Sequence, residues 1–420
     1  MHPGQVAAYR ALTRFTALRC GRRFGKTALI ETIAADGCAR GERIGVFGPD
    51  YKVTDEIFNN VADILHPIEL QSAQNKGIYR TNVNGIIGRI EYWTLENDRA
   101  GRSRKYHKVL MDEAAFTKPN ARDIWERNIR PTLLDYRGMA IIASTPNGAN
   151  PANFFWACCN DPELGFTEYH APTSANPLMP ADEMAKLERE NHPLVYRQEY
   201  LAEFVDWSGV AFFTLDKLLI DNKPVAYPTI CDCVFATIDT AVKTGSHNDG
   251  TAVMYWAVNK AVPGIAKLTV LDWDIEQIEG AMLEQWMPAV FRRLEELAVA
   301  CRARLGSIGA MIEDKGSGSI LLQQGAHRGW PTRAIASKLT DVGKDERAIS
   351  VSSYHFRGDA KFSDHAYHKV TSYKKAARNH AIGQIVGYRV GAADARDAQD
   401  DLLDCYTYGL AIGLGTPAGM

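Results

Sequence analysis

Short apolar segments alternate with longer amphipathic ones along the first half of the chain. Apolar residues at helical spacing occur in Ala28–Ala35 and in Lys52–Leu65. Four apolar segments have the length and composition of buried strands: Phe15–Leu18, Arg43–Gly48, Lys108–Met111 and Met139–Ala143. Strands that alternate with helices predict a mostly parallel sheet that is covered on both faces.

The order of elements changes in the second half. Glycine and proline interrupt the apolar periodicity between Val205 and Pro228, and we interpret residues 207–228 as a linker. A helix is predicted from Gly280 to about Leu305, and three strands precede it: Cys233–Ala241, Thr251–Val258 and Lys267–Asp272. We therefore expect two α/β domains, residues 1–206 and 229–420, each large enough to bury its own core.

Composition narrows the class of protein. The chain has 420 residues, of which 46% are hydrophobic and 23% charged, as in a globular protein of two or three domains. We find no apolar run of about 18 residues and no signal-peptide pattern, so we expect a cytoplasmic protein without membrane contact. The eight cysteines form no C-x-x-C pair, which argues against zinc and disulfides. A net charge of −2 excludes a generally basic surface but leaves room for a local basic groove.

The segment between the first strand and the first helix has the chemistry of a phosphate-binding loop. It reads Arg19-Cys20-Gly21-Arg22-Arg23-Phe24-Gly25-Lys26-Thr27, and Cys20 stands where the pattern G-x-x-x-x-G-K-[ST] has its first glycine. Backbone N–H groups from Gly21 to Gly25 would face the phosphates of ATP. Lys26 would reach the β and γ oxygens, and the Thr27 hydroxyl would hold Mg²⁺. Arg22 or Arg23 could reach the γ-phosphate of the same subunit, because a guanidinium suits phosphate oxygens.

A second candidate site, this one acidic, follows the strand Lys108–Met111. Asp112 and Glu113 end this strand, at the edge of a parallel sheet where such folds bind ligands. We predict that Asp112 shares the Mg²⁺ ion with Thr27 and that Glu113 activates the water that attacks the γ-phosphate. Two solvated acids at a strand end are the alternative interpretation.

Other residues are candidates for contact with the nucleotide. The Gln5 amide could pair with an adenine edge, or it could be an ordinary surface group. Ser144 and Thr145 follow the strand Met139–Ala143 and could sense the γ-phosphate, although Ser144 could simply cap a turn.

A basic loop, Asp98–Lys105, lies between the phosphate loop and the Asp112-Glu113 pair in the sequence. One arginine delivered to the γ-phosphate is worth about 10³ to 10⁵ in rate, and Arg102 is our first candidate for that role. Arg99 and Arg104 are equally compatible with a solvated loop or with contact to a DNA backbone.

The order of these motifs resembles a known family. The chain resembles the large terminase subunits of tailed bacteriophages in the order of its motifs. These are the phosphate loop, Asp112-Glu113, the Ser144–Gly148 segment and the Tyr196–Phe204 segment. In that family the phosphate loop also carries arginines and often lacks the usual first glycine. The resemblance implies a P-loop ATPase domain of the ASCE type followed by a ribonuclease-H-like nuclease domain, with ATP hydrolysis driving double-stranded DNA into a procapsid.

The same resemblance implies partners and a place of action. We expect contact with double-stranded DNA, the small terminase subunit and the portal protein, in the cytoplasm of an infected bacterial host. The active form would be a ring of subunits, a pentamer, in which Arg102 of one subunit acts on its neighbour; a monomer in isolation is compatible with this. Only Gly415–Met420 follows the last predicted helix, so we expect no long C-terminal docking tail.

A ribonuclease-H-like nuclease domain requires acids from separate strands and a helix. Two Mg²⁺ or Mn²⁺ ions about 3.5 to 4 Å apart would clamp the attacking and leaving oxygens of the phosphodiester. Asp239 ends the first strand of the second half, and Glu313 ends a later strand, with Asp314 as its competitor. Two carboxylates about 4 Å apart repel by roughly 4 kcal/mol at an effective dielectric of 20, so such a cluster is sensible only with bound cations.

The third acid should come from the last helix, where acidic residues cluster. Matching the family's Asp-Asp-hydrophobic-hydrophobic-Asp pattern selects Asp401 first and Asp400 second as metal ligands. Asp397 and Asp404 share a helical face with Asp401, so spacing alone leaves them open.

Two basic segments are candidates for contact with DNA. Lys338–Arg347, with Lys344 and Arg347, resembles an Asp-Lys-x-x-Arg segment that in this family precedes a helix near the DNA. His365–Arg378 carries four basic residues around two tyrosines and could be a second phosphate contact or a solvated face.

Two other functions fit the same motifs. The first is a helicase-like or repair ATPase-nuclease of a host or mobile element, which would separate DNA strands. In the second, the C-terminal half would be a catalytically dead DNA-binding platform.

Overall fold

The computed structural model describes residues 1–240, 250–260, 264–278, 280–391 and 400–415. The chain divides into two compact units. The first unit comprises Met1–Arg189 and Pro193–Asp206, and the second comprises Glu190–His192 and Trp207–Met420. Among the described residues, we find no helix that is both long and apolar enough to span a membrane.

The strands of the first unit form one sheet. They are β1 (Phe15–Cys20), β2 (Arg43–Gly48), β3 (Glu69–Ala73), β4 (Ile78–Val83), β5 (Ile86–Thr94), β6 (Lys108–Met111), β7 (Met139–Ser144) and β8 (Thr167–Ala171). Their spatial order in the described part of the chain is β3-β4-β5-β2-β6-β7-β1-β8. From β5 to β8 in that order every pairing is parallel, whereas β3, β4 and β5 form an antiparallel edge.

Helices cover both faces of this sheet. They are α1 (Pro3–Arg10), α2 (Lys26–Ala39), α3 (Tyr51–Leu65), α4 (Ala121–Ile124), α5 (Phe154–Asn160), α6 (Ala181–Glu190) and α7 (Pro193–Glu199). Successive strand residues face opposite sides. Accordingly, Leu18 and Val46 lie in one buried cluster, while Ala17 and Phe47 lie in another. The predicted parallel sheet with two covered faces is confirmed.

Strand order brings the two predicted nucleotide motifs to one edge of the sheet. β7 lies between β1 and β6, so the end of β7 at Ser144 separates the phosphate loop from Asp112. All three strands run in the same direction. Their carboxyl ends therefore meet at the edge where open parallel sheets bind ligands.

The second unit contains a mixed sheet. Its strands are β9 (Cys233–Asp239), β10 (Thr251–Val258), β11 (Leu268–Glu276), β12 (Ser307–Ile312), β13 (Thr332–Ala334) and β14 (Ala360–Phe362). In the described residues they are ordered β13-β12-β9-β10-β11-β14. β9, β10 and β11 form an antiparallel meander, and β12 pairs in parallel with β9. This is the predicted ribonuclease-H-like order.

The remaining elements of the second unit are a small hairpin and seven helices of the described chain. The hairpin consists of β15 (Thr371–Tyr373) and β16 (Ala376–Arg378). The helices are α8 (Leu283–Ala300), α9 (Ser317–Arg328), α10 (Ser337–Thr340), α11 (Lys344–Phe356), α12 (Asp364–His368), α13 (His380–Gly387) and α14 (Asp401–Leu414).

The last helix, α14, packs directly on the sheet. Thr237 on β9 donates its hydroxyl hydrogen to the Cys405 carbonyl at 2.9 Å and accepts a bond from Trp256 at 3.0 Å. A Cβ atom at Gly409 would lie 2.1 Å from the Trp256 ring, so only glycine permits this close approach. The packing fixes the acidic first turn of α14 near the end of β9.

Candidate nucleotide site and candidate nuclease centre

The phosphate loop has the geometry that its glycines and the following helix predict. β1 ends at Cys20, and α2 begins at Lys26. Gly25 has φ +97°, a left-handed conformation that favours glycine, and a Cβ there would lie 2.6 Å from Gln5 Nε2. Gly21 is constrained by space alone, because a Cβ there would lie 2.4 Å from Thr173 Oγ1. Cys20 is the buried last residue of the strand, so the loop begins after it.

Lys26 and Thr27 lie at the start of α2 with their polar groups engaged. The Lys26 side chain is buried, and its Nζ donates to the carbonyls of Cys20 at 3.1 Å and Gly21 at 3.3 Å. Thr27 donates its hydroxyl hydrogen to Asp112 Oδ2 at 2.6 Å. Lys26 and the predicted magnesium ligands Thr27 and Asp112 therefore lie together, although β7 separates β1 from β6 in the sheet.

Asp112 is a buried carboxyl in an electrostatically unfavourable place. Burial, followed by the negative charge of Glu113, raises the pKa of Asp112 to about 6, while the Thr27 hydrogen bond and Lys26 oppose the shift. A hydroxyl and a carboxylate are oxygen ligands that suit Mg²⁺. Thr27 and Asp112 thus fit a magnesium ion, whose charge would offset the cost of an ionised Asp112.

Glu113 follows Asp112 in a strained conformation. Its φ is 51°, in the left-handed region that is rare for a residue with a side chain. Ser144 Oγ donates to Glu113 Oε2 at 3.4 Å and accepts a bond from the Ala115 N–H at 3.2 Å. The serine predicted to sense the γ-phosphate therefore contacts the predicted catalytic base. Thr145, the next residue, is also buried.

Gln5 supports the loop in the structure. Its Oε1 accepts a bond from the His2 N–H at 2.9 Å, and its Nε2 donates to the Gly25 carbonyl at 2.8 Å. Both ends of the amide are thus engaged by backbone. Pairing with an adenine edge, one of the two interpretations that the sequence left open, would require Gln5 to exchange these bonds.

Sequence reasoning missed the residues that brace the phosphate loop from a distance. The Thr173 hydroxyl donates to the Arg22 carbonyl at 2.7 Å, and Asn176 Nδ2 donates to the Arg23 carbonyl at 2.8 Å. The Glu199 carbonyl accepts from the Arg22 N–H at 2.8 Å, and the Arg22 guanidinium lies 3.5 Å from the Glu199 carboxylate. The only advance signal was the Tyr196–Phe204 segment, which contains Glu199.

The basic loop contains two kinds of arginine. Arg104 donates to Glu91 Oε1 at 3.1 Å and lies over the Trp93 ring, so it stabilises the sheet. All three arginines of this loop are exposed, including Arg99 and Arg102. Arg99 and Arg102 are accessible to another molecule, and the role of Arg102 towards a neighbouring subunit stays a prediction.

Strand register brings the predicted nuclease acids together. Ile238 of β9 is paired with Ile312 of β12, so Asp239 and Glu313 occupy equivalent positions at the ends of adjacent parallel strands. The Glu313 N–H donates to the Ile238 carbonyl at 3.3 Å. Asp401, in the first turn of α14, accepts a bond from the Gly250 N–H at 3.2 Å.

The acids influence one another strongly. Burial, followed by the charges of Asp404, Asp401 and Glu313, raises the pKa of Asp239 well above its ordinary value. Lys344 opposes this shift. Such mutual repulsion among buried carboxylates is the situation that a bound divalent cation relieves.

Three cations neutralise part of this cluster. Lys344 forms ion pairs with Asp400 and, at 3.4 Å, with Asp404 Oδ2. Arg347 pairs with Asp404, and Lys315 lies 3.3 Å from the Glu313 carboxylate. Within the described ranges, no three His, Cys, Asp or Glu side chains are arranged as they stand to hold a metal ion.

The structure distinguishes some of the acids that spacing left open. The charges of Asp401 and Asp404 help to raise the pKa of Asp239, and Lys344 pairs with both Asp400 and Asp404. Asp314, the competitor of Glu313, is exposed and accepts a bond from the Ser319 hydroxyl at 2.6 Å. Asp397 lies outside the described residues.

One expectation about DNA contact is corrected. Arg347 was expected to contact DNA phosphates, but its side chain is buried against Asp404 and the Tyr408 ring. A buried guanidinium paired with a carboxylate supports the carboxylate cluster and is not available to a DNA backbone.

Comparison with known proteins identifies relatives of this chain. No protein-family model matches the chain. The large terminase subunit of Escherichia phage T5 is 26% identical over 60% of this chain, and the region matched covers 58% of the T5 protein. That of Thermus virus P23-45 is 26% identical over 52% of each chain. The chain is similar to phage large terminase subunits.

The resemblance predicted from the sequence is therefore confirmed, although the match spans little more than half the length of these curated relatives. The large terminase of a thermophilic bacteriophage, solved in complex with ADP, has a TM-score of 0.67 at 11% identity. The alignment covers 98% of this chain and 99% of that one. The large-terminase fold extends over nearly the whole chain, and the predicted α/β fold class is confirmed.

Proposed function

We propose that this chain is a DNA-packaging motor and nuclease of a phage. Its first unit would hydrolyse ATP to move double-stranded DNA into a procapsid, and its second unit would cut the concatemeric DNA. The observation that carries the proposal is the presence of two separate acidic sites, each at the carboxyl end of parallel strands. The similarity to phage large terminase subunits supports this proposal. The structures of the thermophilic phage terminase with ADP and with ATP-γ-S support it as well.

The first site would hydrolyse ATP through residues whose contacts are already formed. Gly21–Gly25 and Lys26 would bind the phosphates, and Thr27 and Asp112 would hold Mg²⁺, which neutralises charge on the phosphate oxygens. Glu113 would accept the proton of the attacking water, oriented by its contact with Ser144. Arg22 would contact the γ-phosphate from the same subunit, and Arg102 from its neighbour.

The second site would cut the phosphodiester backbone. Asp239, Glu313 and Asp401 would hold two Mg²⁺ or Mn²⁺ ions, with Asp400 or Asp404 completing the set. The ions would polarise the phosphate and lower the pKa of a bound water. The protein's contribution is to hold three carboxylates from β9, β12 and α14 at one point.

Partners follow from this proposal. We place the chain in the cytoplasm of an infected bacterium, where it would act with the small terminase subunit and the portal protein. The active motor would be a pentameric ring. Cutting would be largely independent of sequence, because contacts to phosphates carry no base information.

Translocation distinguishes this proposal from a helicase-like enzyme. The test is displacement of a third strand bound in the major groove of a linear duplex, with a parallel assay for separation of the two duplex strands. We expect ATP-dependent displacement of the third strand while the duplex stays intact. Separation of the duplex strands would favour the helicase-like alternative, and displacement without ATP would contradict a motor.

A further inference from the structure

A stretch of the second unit is basic and free of acids. Residues 365–393 contain five lysines and arginines and no aspartate or glutamate. The structure assigns two of the five to structural contacts. Lys369 lies 3.0 Å from the buried Asp272 carboxylate, and Arg389 donates to the carbonyls of Val386 at 2.7 Å and Tyr388 at 2.8 Å.

The other three basic residues lie on the hairpin of β15 and β16. Lys374 and Lys375 form its two-residue turn, and Arg378 ends β16. The two lysines have φ values of 45° and 65°. A hairpin turn with two positive φ values strongly prefers Asn-Gly, so lysine at both positions is unfavourable for the turn itself. The two lysines supply positive charge, which Asn-Gly would not, and this indicates a role for the charge itself.

The hairpin is attached next to the carboxylate cluster. Tyr373, the last residue of β15, packs so closely on Gly250 that a Cβ there would lie 2.5 Å from the tyrosine hydroxyl. Gly250 in turn donates its N–H to Asp401. The ring of His380 lies within 3.1 Å of the Thr371 carbonyl and 3.0 Å of the Ala376 carbonyl, which ties both strands to α13.

A nuclease centre built from carboxylates repels the DNA backbone unless cations lie beside it. Lys344 and Arg347 cannot fill this role alone, because they are paired with the acids of α14. Lys375 and Arg378 are exposed, and Arg378 Nε donates to His380 Nδ1 at 3.5 Å. Lys374 is half-buried, with its Nζ 5.4 Å from the centroid of the Tyr373 ring.

We propose that Lys374, Lys375 and Arg378 form a phosphate-binding surface that holds the DNA strand beside the carboxylate cluster. This inference rests on the proposed nuclease function and adds the surface that positions its substrate. Lysine ammonium groups would bind phosphates as point charges, without reading the base sequence.

The test is a double substitution that improves the turn while it removes the charge. Lys374→Asn with Lys375→Gly introduces the residues that this turn prefers, so loss of folding is not expected. The matched control is Lys223→Gln with Arg302→Asn, which removes two exposed charges from the same unit, one of them also at a positive φ. Binding of a fluorescent duplex to the full chain is measured across a range of salt concentrations without divalent metal.

We expect the turn variant to bind duplex at least tenfold more weakly at about 0.1 M salt than the parent or the control. Its plot of log affinity against log salt should be shallower by about 2, since each phosphate contact contributes about 0.9. An unchanged affinity and slope, an equal loss in the control, or no duplex binding by the parent would overturn the inference.

The nuclease proposal is judged separately in the same preparation. If Asp239→Asn leaves metal-dependent cutting intact, the assignment of the nuclease centre fails even when the hairpin binds DNA. If cutting is lost in Asp239→Asn while the turn variant binds DNA like the parent, only the hairpin inference fails.

Discussion

Replacing Glu113 by glutamine is expected to lower ATP hydrolysis by about 10² to 10⁴-fold, the usual range for loss of a general base. ATP binding should stay close to that of the parent. The loop contacts of Lys26 and the Thr27–Asp112 bond do not involve the Glu113 side chain. Turnover is measured by phosphate release, and binding by fluorescence of a labelled nucleotide.

The strained backbone at Glu113 strengthens this expectation. A left-handed conformation in a non-glycine residue costs free energy, and such conformations cluster at active sites. Glutamine keeps the size and the capacity to accept a bond from Ser144 Oγ, so the change removes basicity with little change in shape. Glu126→Gln, on an exposed helical position, is the matched control. If hydrolysis survives in Glu113→Gln, another residue is the base.

Asp239→Asn is expected to abolish Mn²⁺-dependent cutting of plasmid DNA, with a loss of more than about 10³-fold, while DNA-stimulated ATP hydrolysis persists. Asp239 contributes the central charge of the proposed two-metal site. Cutting is followed by conversion of supercoiled plasmid to nicked and linear forms. Asp314→Asn, an exposed acid beside Glu313, is the control and should cut normally.

Asp239→Asn should also make the metal-free protein more stable, although it abolishes cutting. The charges of Asp404, Asp401 and Glu313 oppose ionisation of Asp239, so removal of its charge relieves repulsion when no metal is present. We expect a melting temperature in EDTA that is higher than that of the parent by a few degrees. The stabilisation of the parent by added Mn²⁺ should be smaller in the variant. Normal cutting by Asp239→Asn would contradict the assignment of the nuclease centre, whereas a parent chain that does not cut DNA would support the platform alternative.

The elements around both sites could be predicted from local patterns. The predicted strand Arg43–Gly48 coincides with β2, and Thr251–Val258 coincides with β10, because runs of buried apolar residues identify central strands. The hairpin strands β3 and β4 were not predicted. Every residue of β3 is exposed or only half-buried, so the segment lacks the apolar signal of a central strand.

Long-range contacts set the limit of prediction at the sites. Thr173 and Asn176 brace the phosphate loop from about 150 positions away, as their sequence separations of 151 and 153 show. Arg347 has the composition of a surface residue, yet a carboxylate 57 positions later allows it to be buried. Neither relation leaves a local pattern in the chain.

Long-range contacts also explain why the sequence could not identify which acids of the last helix bind metal. Asp401 and Asp404 lie on one helical face, and spacing could not rank them against Asp400. In the structure Gly250 donates its N–H to Asp401, whereas Lys344 pairs with both Asp400 and Asp404. Both partners belong to other elements of the unit.

The most direct test of two metal-dependent sites in one chain is anomalous scattering from a crystal soaked in Mn²⁺ and an ATP analogue. The account predicts Mn²⁺ peaks bonded to Asp239, Glu313 and an acid of the first turn of α14, and another peak beside Thr27 and Asp112. Peaks elsewhere with none at Asp239 would contradict the nuclease centre. A nucleotide bound with no peak at Asp112 would contradict the assignment of the magnesium ligands.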